Sequence, residues 1–94
     1  MPRGINLVHG QTILVTVRSR ETTYFTGKAA TLTSLNDTGP FDILPRHTHF
    51  ISLIRDGVTI KKPDGTEKHI SFSHGIIKVK DDVVEVYIGT GRRQ

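Results

Sequence analysis

Phe50-Ile51-Ser52-Leu53-Ile54-Arg55-Asp56-Gly57-Val58-Thr59-Ile60-Lys61 is two apolar, β-rich runs on either side of an Asp-Gly pair. Glycine accepts a positive φ without a Cβ clash, so Asp-Gly between two such runs is a strong short-range hairpin signal. Residues 50–54 are therefore expected to form one strand and 58–61 the returning strand. The pattern repeats downstream. Pro63-Asp64-Gly65 is a second turn, and Lys68–Phe72 runs back with Ile70 and Phe72 on one face. Ser73-His74-Gly75 reads as another reversal. Ile76–Lys80 follows with Ile77 and Val79 on one side and Lys78 and Lys80 on the other. Asp81-Asp82 turns the chain into Val83–Ile88, where Val84, Val86 and Ile88 oppose Val83, Glu85 and Tyr87. Alternation of this kind is the mark of strands with one wet face.

Upstream lies Gly39-Pro40-Phe41-Asp42-Ile43-Leu44-Pro45-Arg46-His47. Proline removes a backbone donor, so neither Pro40 nor Pro45 fits a central paired strand. The stretch reads as a brief edge strand between two shaped loops, and the prolines serve either edge protection or a docking tip. Asn36-Asp37-Thr38-Gly39 is a turn signal. Lys28–Leu35 is a threonine-rich strand whose two leucines are three apart, which fits a period of two only with a bulge or bend. Tyr24-Phe25-Thr26 is a short strand ending at Gly27, after a polar turn at residues 19–22. Gln11–Arg18 is a strand with Ile13, Val15 and Val17 on its apolar face.

No helical period is sustained anywhere, and short strands recur with turn signals at a spacing of roughly 8–12 residues. The fold class is all-β, a sandwich or partly open barrel. The organisation expected is a lead-in at residues 1–10, one domain at 11–90 and a polar tail at 91–94. A chain of 94 residues supports one modest core. It has no cysteine, which excludes disulfides and thiolate metal sites. It has no apolar run of membrane-spanning length and, in Met1–Asn6, no apolar core of a secretory leader.

The net charge of +4 invites a nucleic-acid reading. The basic residues are scattered, however, and six aromatics without tryptophan supply a base-stacking platform poorly. His47 and His49 are two apart and share a strand face, but zinc needs a third protein ligand and no second cluster supports one. No Gly-x-Ser-x-Gly elbow is present, and Gly89-Thr90-Gly91 lacks the Lys-Ser/Thr of a phosphate loop. The residues themselves favour a domain with no catalytic residue, cofactor or metal over a small metal-dependent enzyme that would use His47 and His49.

The order and spacing of these features resemble a family. Gly39-x-Phe41-x-Ile43-Leu44-Pro45-x-His47 is similar to the Gly-x-Leu/Phe-Gly-Ile/Val-x-Pro-x-His signature of the epsilon subunit of F-type ATP synthases (delta in mitochondria). Tyr24-Phe25-Thr26-Gly27, Arg55-Asp56-Gly57-Val58, Ser73-His74-Gly75 with the strand after it, and Val83–Ile88 fall in matching order over roughly residues 11–90.

The resemblance implies a β-sandwich of about ten short strands, like the N-terminal domain of that subunit, without its C-terminal helical hairpin. It implies a non-catalytic rotor subunit that links the gamma subunit to the membrane c-ring in proton- or sodium-driven ATP synthesis. Such a subunit is peripheral, on the cytoplasmic face of the energy-coupling membrane or the equivalent organelle side, and no homo-oligomer is expected. The foot that meets the c-ring and gamma would comprise Pro40, Phe41, Asp42, Arg46 and His47. The chain departs from the signature there: Pro40 replaces a common acidic residue, Asp42 the second glycine and Arg46 another frequent glycine. The alternative is a free-standing sandwich that binds another acidic partner or nucleic acid.

Overall fold

The computed structural model describes residues 11–46 and 49–89. They form eight strands: β1 (Ile13–Arg18), β2 (Thr23–Ala29), β3 (Thr31–Asn36), β4 (Gly39–Ile43), β5 (Phe50–Lys61), β6 (Glu67–Ile70), β7 (His74–Lys80) and β8 (Val83–Ile88). The strands make one curled sheet in the order β2-β1-β8-β7-β5-β3-β4, with β6 also on β5. One half of the sandwich is β2-β1-β8-β7 with the first part of β5. The other is β6, the last part of β5, β3 and β4.

The expected hairpin at Arg55-Asp56-Gly57 does not form. Residues 50–61 are one twelve-residue strand. Phe50–Arg55 pair with β7, and Val58–Lys61 pair with β6. On the other edge, Thr33 faces Thr59 and Leu35 faces Arg55. Two steps along β3 thus span four along β5, and Asp56 and Gly57 are the extra residues. Their φ values are 66° and 93°. The positive-φ pair that reads locally as a turn is a two-residue bulge, which bends the strand and re-aims it into the second half. Because the insertion is even, the side-chain alternation is preserved across it. Ile54 before the bulge and Val58 and Ile60 after it are all buried.

Packing makes the bulge specific. A Cβ on Gly57 would lie 2.5 Å from the Ile70 carbonyl oxygen. Ser34, the one buried polar side chain among the described residues, donates its hydroxyl to the Gly57 carbonyl at 2.8 Å. Local sequence cannot separate a turn from a bulge here; the neighbours β3 and β6 decide.

The second crossing between halves is a corner at Ala30. β2 runs on past Gly27 to Ala29, and β3 begins at Thr31. The single strand expected over Lys28–Leu35 is broken by this corner, where the Ala30 N–H donates to the Lys61 carbonyl at 2.7 Å; the irregularity expected from the leucine spacing is the register shift against β5 between Thr33 and Leu35. The Lys62 ammonium lies 5.9 Å from the Phe25 ring centre, a further link between the halves. After β6 the chain reverses at residues 71–73, so His74 and Gly75 already belong to β7 rather than to a turn. The reversal at 62–66 forms as expected. There Thr66 donates its hydroxyl and its N–H to Asp64 Oδ1, at 2.7 and 2.9 Å, holding that carboxyl below its ordinary 3.8.

The alternation read from sequence places the core. Ile13, Val15, Val17, Ile77, Val79, Val84 and Val86 point inward, and Leu32, Ile43, Ile60 and Ile70 meet them from the other half. The pairing of β1 with β8 is parallel, from Leu14↔Val83 to Arg18↔Tyr87. Parallel neighbours need a long crossover, and this one contains most of the domain.

Candidate functional site

The Pro-rimmed stretch forms the edge strand it was expected to form. β4 ends the sheet order and pairs only with β3 among the described strands. The reversal before it is an Asx turn: Asn36 Oδ1 accepts the Thr38 N–H at 2.9 Å and its hydroxyl at 2.7 Å. Along β4, Pro40 and Asp42 are exposed while Phe41 and Ile43 turn toward the core. Asp42 Oδ1 accepts the Thr33 hydroxyl at 2.6 Å, which holds the carboxylate against its neighbour strand. Phe41 packs edge-on against Phe50, with ring centres 5.5 Å apart. It therefore supports the strand from behind.

Arg46 lies beyond the far end of β4 with φ at 68°. Its N–H donates to Asp82 Oδ1 at 2.6 Å. His49 Nε2 lies 3.6 Å from Asp81 Oδ1. The loop between β4 and β5 thus leans on the β7–β8 turn, a contact between the two halves. Of the five foot residues read from sequence, Pro40 and Asp42 share the exposed face of β4. Phe41 is behind them, Arg46 lies in the chain beyond Ile43, and His47 lies outside the described residues. Among the described residues no three His, Asp or Glu side chains converge as a metal site.

A second surface was missed by sequence reasoning. On the outer face of the first half, Leu53 pairs with Ile76 and Ile76 with Tyr87. All three are exposed, Leu53 at 71%, and Ile51 one pair over is 68% exposed. Leu53, Ile76 and Tyr87 wall a shallow groove of about 420 Å³, which Ile88, Gly75, Gly89, Arg20 and His74 also line. Gly75 has the inward parity of Ile77 and Val79, and a Cβ there would lie 2.8 Å from the Tyr87 carbonyl oxygen and 3.2 Å from the Phe72 ring. The signal was available. Phe50–Ile54 and Ile76-Ile77 are apolar at both parities, which marks strands covered on both faces.

Residues 12–93 match the family described as the ATP synthase delta/epsilon chain, β-sandwich domain. The chain belongs to that family. It is 39% identical over 83 residues to the ATP synthase epsilon chain of Polaromonas naphthalenivorans, covering 87% of this chain and 60% of that one. The epsilon chain of Bordetella petrii is 40% identical over 83 residues, covering 87% and 59%. The chain thus spans about 60% of the length of these delta/epsilon relatives.

Its fold is similar to a chain in the Euglena gracilis mitochondrial ATP synthase, with a TM-score of 0.76 at 18% identity, covering 90% of this chain and 54% of the other. It is also similar to a chain of the Tetrahymena thermophila central stalk and c-ring structure, with a TM-score of 0.69 at 13% identity, covering 83% and 63%. The delta/epsilon sandwich is thus found here in sequence and in fold, with eight described strands and no helix among them.

Proposed function

We propose that the chain is a rotor-stalk sandwich of an F-type ATP synthase, a non-catalytic subunit that links gamma to the c-ring in ion-driven ATP synthesis. Family membership supplies the class. The exposed apolar row Leu53, Ile76 and Tyr87 is the observation that carries it. An isolated domain gains nothing from large aliphatic side chains in water on its central strands, and contiguous patches of this kind mark partner surfaces. The row stands on hydrogen-bonded strands, so the surface is stiff, as transmission of torque through a non-covalent contact requires. Gamma is assigned to this face. Pro40, Asp42, Arg46 and His47, with Phe41 behind them, are assigned to the foot toward the c-ring and gamma. The domain would then sit peripherally, on the side of the coupling membrane that carries the F1 sector.

Titration of the cognate gamma subunit tests this. The chain should form a complex at micromolar concentration. Leu53→Glu with Ile76→Glu should weaken it about a hundredfold or more, because two aliphatic side chains lose their burial to charge. Asp42→Ala with Arg46→Ala should weaken it less, since exposed charges at a rim contribute little. If the wild-type chain neither co-elutes with gamma nor perturbs its spectrum, the reading falls in favour of a free-standing binding module.

A further inference from the structure

The β7–β8 turn does more than reverse the chain. Asp81 and Asp82 have φ values of 52° and 67°, a two-residue geometry that suits the twist of a hairpin. Such a turn needs residues that tolerate positive φ; it does not need acids, and Asn-Gly would make it equally well. Yet both carboxylates are spent outside the turn. Asp82 Oδ1 accepts the Arg46 N–H at 2.6 Å, and Asp81 Oδ1 lies 3.6 Å from His49 Nε2. The turn is itself tied down, because the Asp82 carbonyl accepts the Leu14 N–H of β1 at 2.9 Å. Arg46 carries a Cβ at φ 68°, where that atom crowds its own backbone. A conformation disfavoured in isolation persists only where the surroundings impose it. The contact seen on its N–H is the one to the Asp82 carboxylate.

We propose that Asp82, assisted by Asp81, is the positioning residue for Arg46 at the exit from β4. It holds the Arg46 backbone in its left-handed conformation, and so sets how Arg46 and the chain just before it meet the partner. The second half of this statement rests on the reading of the loop as part of the docking foot. Asp82 touches the loop and not the partner, so its effect on docking is transmitted through the Arg46 backbone.

Amide exchange of the labelled chain, measured by NMR alongside gamma titration, tests both halves. Asp82→Gly keeps a residue suited to the turn and removes the acceptor. It should speed exchange at Arg46 by about tenfold while leaving the β7 and β8 amides protected, a size set by loss of one hydrogen bond. Asp82→Asn keeps an acceptor oxygen and should restore most of the protection. Gamma affinity should fall in Asp82→Gly and recover in Asp82→Asn. Unchanged exchange at Arg46 in Asp82→Gly overturns the proposal outright. Faster exchange with unchanged gamma affinity overturns the docking half. Failure of the wild-type chain to bind gamma removes the functional reading and with it the docking half, while the exchange arm still decides whether Asp82 holds the loop.

Discussion

Gly57 is where one residue determines the path of the domain. Two constraints meet on it. Its φ of 93° is disfavoured for any residue with a Cβ, and a Cβ would collide with the Ile70 carbonyl at 2.5 Å. The obstacle is backbone, which cannot rotate away. Gly57→Ala should therefore destabilise the fold by at least about 2 kcal/mol in a urea titration, more than the same change in an open turn. Gly65 provides the control. It also has positive φ, but a Cβ there meets nothing within 4 Å, so Gly65→Ala should cost less. Residue chemistry of this kind is legible in sequence. Asp-Gly announces positive φ, and positive φ is found. Whether it serves a turn or a bulge is not legible, because that depends on which strands lie alongside.

At the scale of the element, β5 is the strand on which both halves depend. Its bulge holds two residues, and the even number keeps Ile54, Val58 and Ile60 on the buried side. Deleting Asp56 alone would invert every residue on one side of the bulge, driving Thr59 and Lys61 inward or Arg55 and Leu53 out of place. That variant should lose cooperative unfolding by circular dichroism. Deleting Asp56 and Gly57 together preserves the alternation but removes the bend, and should retain measurable strand content with a lower denaturation midpoint. If the single deletion proves as stable as the double, the role given to parity is wrong.

β4 was easier to read. Two prolines bounding a short apolar run restrict it to an edge, since a proline cannot donate to a second neighbour. Its two faces also follow from alternation, with Pro40 and Asp42 out and Phe41 and Ile43 in. The contact of its exit loop with Asp81 and Asp82 was not readable, because 36 positions separate Arg46 from Asp82.

For the whole molecule, the question is why a small domain leaves its central strands apolar on the outside. The inward faces already fill one core from Ile13 to Val86. Leu53, Ile76, Tyr87 and Ile51 add nothing to that core, and in the proposed function they are the face a partner covers. Their burial should appear in the gamma titration as a negative heat-capacity change, the robust thermodynamic mark of apolar area leaving water. A complex held mainly by the charges around Asp42 and Arg46 would instead weaken with salt and show little heat-capacity change.

Strand identity, the inward set and the class of the domain follow from side-chain alternation and turn chemistry, which are local properties. Ile13, Val15, Val17, Ile77, Val79, Val84 and Val86 could be assigned to the core because each strand carries its own period of two. The family could be recognised because its signature is a matter of order and spacing. Three features depended on neighbours distant in sequence: the bulge in place of a hairpin at Asp56-Gly57, the parallel seam between β1 and β8, and the Asp82 hold on Arg46. The first two are choices that local sequence leaves open, and the third keeps a backbone conformation that is locally disfavoured. Hydrogen-bonded partners brought together only by the folded chain decide all three.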